Sequence, residues 1–230
     1  MPFYFGIDEY FLLLIVPAML FSLAMQIAVK SAYKKQSRVR NARGLTGAMA
    51  AQMVLDYYGV TGVQIRAVPG RLSDHYDPRS NVIRLSEGVY GTASVAAVGI
   101  AAHEAGHAAQ HAQSYVPIKV RNAILPVCNI GSMLALPLVI LGYWLGVFGL
   151  VTLGLALFAL IVVFQLVTLP VELNASRRAM EAIDGRGLLE GDDRAGAKKV
   201  LTAAAMTYVA ALVVSLANLL RLLLRFNRRR

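Results

Sequence analysis

Residues 103–107 read His-Glu-Ala-Gly-His, which matches H-E-x-x-H. On a helix, positions four apart share one face, so the imidazoles of His103 and His107 can reach one Zn²⁺ at about 2.0–2.1 Å. Glu104 follows the first ligand. It is placed to take a proton from water at the metal, whose pKa zinc lowers toward ~7. The chemistry this pattern suits is hydrolysis, with a single zinc ion as cofactor.

Two histidines fall short of the three protein ligands of a catalytic zinc site. Glu172 is the best candidate for the third. It ends a long apolar run just after Pro170, where a carboxylate is costly unless it has a partner. The competing reading is a border carboxylate paired with Arg177 or Arg178. His111 continues the four-residue spacing, but a straight helix carries it about 6 Å further along the axis. A place behind a ligand, a contact with substrate or a plain solvated histidine suits it better than ligation. His75, in the run DHYD at 74–77, is either a substrate-side group or a turn residue. For stabilising an oxyanion, His75, His111 and Tyr208 are all eligible by chemistry.

These residues need elements to hold them. The 92–113 stretch is Ala-rich and reads as a helix carrying the motif. Residues 45–58 read as another, with Thr46 as N-cap and Gly59 as a stop signal. Residues 63–68 and 82–86 read as two short strands, with a turn-rich segment at 74–81 between them. The order is helix, two-stranded unit, motif helix.

The rest of the chain is apolar. Of 230 residues, 57% are hydrophobic and 16% charged, and mean hydropathy is +0.56. That excludes global disorder and argues against an ordinary soluble enzyme. Residues 10–29 are long enough to span a bilayer. Residues 122–171 carry no charge and no histidine, and have room for two spans with a turn near 143–149. Residues 200–220 form a fourth, weaker apolar run. The organisation expected is a span at 1–30, a polar segment with the motif helix at 31–121, two spans at 122–171, a polar segment with the third ligand at 172–199, and an apolar helix with a basic tail at 200–230.

The net charge of +10 fits Lys and Arg flanking membrane spans better than a nucleic-acid surface. Lys30, Lys34, Lys35, Arg38, Arg40 and Arg43 follow the first span, Lys119 and Arg121 flank the second, and Arg177 and Arg178 follow the third. This places the N-terminus outside and the motif helix in the cytoplasm. Arg228, Arg229 and Arg230 are the misfit, since a fourth crossing puts them outside. Cys128 is alone, so neither a disulfide within the chain nor a cysteine metal cluster is available.

Taken together, GLTG at 44–47, DHYDP at 74–78, VIRLSE at 82–87, HEAGH at 103–107 with Gln110 and His111, LPVELNASRR at 169–178 and TYVA at 207–210 resemble the YugP-like membrane zinc metallopeptidases of bacteria. Those enzymes are similar, distantly, to HtpX-type gluzincins. The resemblance implies His103, His107 and Glu172 as ligands and Glu104 as base. The implied fold is an α-helical, multi-pass plasma-membrane protein with a small zincin-like α+β portion in the cytoplasm. It also implies that Val82, Ile83, Arg84 and Leu85 lie on an edge strand that takes substrate by strand addition. Two positions depart from the pattern. Asn174 stands where the family often has Asp, and Ser176 where HtpX-type enzymes have an Asp behind a ligand. The expected partners are protein or peptide substrates, membrane proteins among them, and the lipid bilayer, with no nucleic acid.

Two alternatives compete with a zinc endopeptidase. A site-2-type intramembrane protease draws on the Ile183-Asp184-Gly185 run, but residues 95–102 are too short to span and Asp184 sits among charges. A non-catalytic zinc scaffold has no need of Glu104.

Overall fold

The computed structural model describes residues 8–70 and 73–227. The tail Arg228–Arg230 and the first seven residues lie outside the described residues. The elements are α1 (Phe11–Gln36), α2 (Gly47–Tyr57), β1 (Gln64–Val68), β2 (His75–Asp77), β3 (Val82–Ser86), α3 (Glu87–Tyr90), α4 (Val95–Ala112), α5 (Val116–Trp144), α6 (Phe148–Gly185) and α7 (Gly191–Asn227). The chain divides into two compact units: Met1–Gln26, Val120–Leu169 and Thr207–Arg230 form the first; Ile27–Lys119 and Pro170–Met206 the second.

The first unit is built from apolar helix. Among the described residues, α1, α5, α6 and α7 are each long and apolar enough to cross a membrane. Their outward side chains, such as Leu13, Met133 and Trp144, are large, apolar and exposed, which suits lipid. The turn from α5 to α6 falls where the glycines cluster, and Gly146 takes a φ of +68°, open to glycine without strain. At one end of this unit Asp8 accepts from the guanidinium of Arg221 at 3.1 Å and from that of Arg225 at 2.8 Å. The start of α1 and the end of α7 are therefore pinned together.

The second unit has the polar chemistry. Thr46 caps α2 as expected, its hydroxyl accepting from the Met49 amide at 3.3 Å. Helix α4 starts three residues later than expected, at Val95. Ser94 caps it, accepting from the Ala97 amide at 3.1 Å; residues 92–94 are not helical, and the single turn α3 ends at Tyr90. The core joins α2, β3, α4 and the parts of α6 and α7 within this unit. Leu55, Ile83, Leu85, Val98 and Ile183 are fully buried in it.

Two strand expectations need correction. The sheet has three strands, because His75–Asp77 pairs antiparallel with β3 inside the stretch read as turn. Three residues between Asp74 and Pro78 are too short to show alternation, and it is pairing that holds them extended. The order is β1-β3-β2, with β1 parallel to β3. Val82–Ser86 is thus the middle strand, paired on both sides, and has no free edge for an added strand. The burial of Val82, Ile83, Leu85 and Ser86 reflects that central place. The edges belong to β1 and β2.

Candidate metal centre

Helix α4 carries His103, Glu104 and His107, and α6 carries Glu172. The two helices can meet because Gly106 leaves room. A Cβ there would lie 2.6 Å from the Ala175 carbonyl oxygen, so only glycine fits this contact unchanged. Alanines line the rest of α4: Ala101, Ala102, Ala105 and Ala109 are fully buried.

Across this contact Glu172 Oε2 lies 3.3 Å from His103 Nε2 and 3.5 Å from His107 Nε2. The three ligand atoms fall within 4.8 Å of one another, and Glu172 is almost wholly buried. Donors each about 2.0–2.1 Å from one tetrahedral ion stand roughly 3.3 Å apart, so the group fits a zinc ion. Its electrostatics fit as well. Burial pushes the His107 pKa down, but the Glu172 contact and the charge of Glu104, with Gln110 behind, more than offset this and leave it raised. The surroundings favour positive charge at this point, whether a proton or a metal ion.

The far sides of both rings are held. His103 Nδ1 lies 3.1 Å from Ser176 Oγ, and His107 Nδ1 lies 3.0 Å from Gln110 Oε1. Gln110 donates in turn to the Val171 carbonyl at 2.8 Å and to Asn174 Oδ1 at 2.9 Å. Asn174, behind Gln110, and Ser176, behind His103, are therefore built into the support of the histidines. Glu104 turns toward the sheet, where its Oε2 accepts from the Tyr76 amide of β2 at 2.9 Å.

A family model described as "Putative neutral zinc metallopeptidase" matches residues 11–227. The chain belongs to this family. It is 45% identical over 216 residues to "Putative membrane protease YugP" of Bacillus subtilis (strain 168), covering 94% of this chain and 96% of that protein. No solved structure matches the chain. Family membership and the four apolar helices make this a membrane protein of the zinc-peptidase kind.

Other candidates stand apart from the three-residue group. His111 is exposed, with Nδ1 3.5 Å from the Tyr76 hydroxyl. His75 is exposed, with Nδ1 2.7 Å from the Ser73 carbonyl oxygen and Nε2 3.5 Å from Arg84. Ile83 and Leu85 point into the core, Val82 is buried on the opposite face of the strand, and Arg84 pairs with Asp77 at 2.8 Å. Tyr208 belongs to the first unit. Asp184 is engaged by Arg194 through two contacts of 2.5 and 2.7 Å and is not one of the three residues whose ligand atoms converge. Arg177 pairs with Glu181, and Arg178 with Asn174 and Gln113, so neither arginine explains Glu172 as a border ion pair. Sequence reasoning missed two participants. Gln110, three residues after His107, shares its helix face and could have been found by spacing. The Tyr76 amide is backbone and leaves no signal in side-chain identity.

Proposed function

We propose that this protein hydrolyses peptide bonds as a zinc metalloendopeptidase of the gluzincin type, with a zincin-like fold around a cytoplasm-facing site. His103, His107 and Glu172 hold the zinc, and Glu104 is the general base. The observation that carries this reading is the position of Glu172 Oε2, 3.3 and 3.5 Å from the two histidine Nε2 atoms.

When bound, zinc supplies a Lewis acid that polarises a carbonyl and makes an attacking water more acidic. The protein supplies the rest. Glu104 takes the proton of the attacking water and hands it to the leaving amine. The Tyr76 amide holds one of its carboxylate oxygens, which fixes the direction of the other. The peptide binds on the side of the sheet where β2 meets Glu104, with His75 and His111 within that neighbourhood. Substrates are proteins or peptides, those of the membrane included. The basic residues after α1 support a plasma-membrane orientation with the N-terminus outside.

Zinc content and casein-type proteolysis of the purified full chain test the reading. Glu104→Gln should keep zinc and lose about 10²–10⁴-fold in turnover. Glu172→Gln should lose zinc affinity and activity together, and Asp184→Asn should change neither much. Near-wild-type turnover in Glu104→Gln would overturn the mechanism.

A further inference from the structure

We propose that Gln110 is a positioning residue: it presets His107 in the tautomer that leaves Nε2 free for a metal, and it locks that ring to the turn of α6 bearing Glu172. This rests on the zinc-site reading above.

Gln110 is fully buried, so each of its polar atoms must be satisfied within the protein. Its amide has one orientation that does so. The Val171 carbonyl can only accept. Asn174 Oδ1 also receives the Arg178 guanidinium at 2.8 Å, and arginine only donates, so the Asn174 atom facing this cluster is its oxygen. Both partners of the Gln110 nitrogen, at 2.8 and 2.9 Å, are therefore acceptors. A flipped amide would set oxygen against two oxygens.

The Gln110 oxygen is left facing His107 Nδ1 at 3.0 Å. An amide oxygen accepts, so Nδ1 carries the proton. The neutral ring then presents the Nε2 lone pair on the side of Glu172. The orientation is anchored beyond Gln110: Arg178, which holds Asn174, also donates to Gln113, the C-cap of α4, at 2.6 Å. Val171 adjoins Glu172 in the chain. One uncharged side chain thus couples a ligand on α4 to the backbone carrying the ligand on α6.

His103 is supported differently. Its Nδ1 faces the Ser176 hydroxyl, which can donate or accept and so selects no tautomer by itself. The two histidines are unequal: His107 is preset, and His103 adapts.

The test uses the full chain in detergent, with Zn²⁺ affinity from chelator competition and the visible spectrum of the Co²⁺-substituted protein. Gln110→Met keeps length and flexibility without polar atoms, and should weaken Zn²⁺ binding about 10–100-fold and alter the Co²⁺ bands. Gln110→Glu keeps an acceptor for His107 but sets its second oxygen against the Val171 carbonyl and Asn174 Oδ1, so it should not restore wild-type binding. Ser176→Ala should lose less than Gln110→Met. The proposal is overturned if Gln110→Met binds Zn²⁺ like wild type while Glu172→Gln does not. It is also overturned if Gln110→Met weakens Zn²⁺ binding but keeps wild-type Co²⁺ bands, which would mark Gln110 as packing alone. If wild type binds no Zn²⁺, or Glu172→Gln binds it like wild type, the site reading falls first and this proposal with it. Should Gln110→Met not fold, Asn174→Ala decides, since it removes an acceptor that orients the Gln110 amide: weaker Zn²⁺ binding with altered Co²⁺ bands supports the proposal, and wild-type binding and bands overturn it.

Discussion

Substituting Gly106 by alanine sets two known effects against each other. An alanine inside a helix is favoured over glycine by about 1 kcal/mol. Here the added Cβ would meet the Ala175 carbonyl oxygen at 2.6 Å, its carbon at 3.3 Å and the Ala175 Cα at 3.4 Å. All three are backbone atoms, so no rotamer change relieves the contact. Ordinary contact begins near 3.4 Å. The helices must therefore part by up to ~0.8 Å along that line, and such overpacking costs about 1–3 kcal/mol. The net expectation is a loss of roughly 0–2 kcal/mol in the metal-free protein.

The larger effect falls on the metal. His107 follows Gly106 directly, and Glu172 lies three residues before Ala175 on the facing helix. Zinc–ligand distances tolerate only about ±0.2 Å. Parting by several tenths of an ångström should weaken Zn²⁺ binding at least about tenfold, which is ~1.4 kcal/mol. Gly99, on the same helix, is the control. A Cβ there would lie 3.4 Å from Ala197 Cβ, an ordinary contact, so Gly99→Ala should stabilise by up to ~1 kcal/mol and leave Zn²⁺ binding alone. Thermal melts of metal-stripped protein and chelator competition measure both. If Gly106→Ala matched Gly99→Ala in stability and bound Zn²⁺ as wild type does, the close approach of α4 and α6 would not be what shapes the site.

Two further outcomes follow from the charges. The Arg84 guanidinium first, then the Ser80 hydroxyl and the Arg79 amide, hold the Asp77 carboxyl well below the usual carboxylate range. A carboxyl more acidic in the folded than in the unfolded state stabilises above its unfolded pKa of about 3.9 and loses that contribution as pH falls toward its folded value. The stability gap between wild type and Asp77→Asn should be constant above about pH 5 and close on acidification below about pH 4; a gap widening in acid would refute this. The Asp8 contacts with Arg221 and Arg225 put the start of α1 and the end of α7 on one side. In a Cys128→Ala background, cysteines at positions 9 and 227 should react with an impermeant reagent in intact cells, and one at position 40 only after permeabilisation; the reverse pattern would invert the proposed orientation.

What the sequence makes legible is local chemistry and local geometry. The four-residue spacing of His103 and His107 needs only a helix to become a shared face. Apolar length alone announces α1, α5, α6 and α7. Thr46 caps the helix it precedes because capping is decided within three residues. The strand β2 is not legible for the opposite reason. Its three residues are extended because β3 pairs them and because the Tyr76 amide has Glu104 to bond, and both partners are remote in sequence. The edge position was misassigned for the same cause. Val82–Ser86 looks like any half-apolar strand, and only the sheet order shows that it is enclosed on both sides. Glu172 was legible through cost: a carboxylate at the end of an apolar run implies a partner, although not which one.

The Ala-rich character of α4 reads from sequence as helix propensity, but its packing gives another reason. A ligand from α6 can reach two imidazoles on α4 only if the helix axes lie close, and side chains at the crossing set that distance. Small residues at 101, 102, 105, 106 and 109 let α4 sit buried against its neighbours. The same closeness lets Gln110 span from His107 to the Val171 carbonyl and brings Ser176 behind His103. Larger residues there would separate the ligands and their supports together. The groups directly behind the two rings are the Gln110 amide and the Ser176 hydroxyl. A neutral group behind each ring adds no negative charge to the two already present at Glu104 and Glu172, so the site needs only a dication to balance it. The apolar helix composition and the polar site are thus one design: small residues bring the helices close enough for neutral hydrogen bonds, rather than extra charge, to fix the ligands.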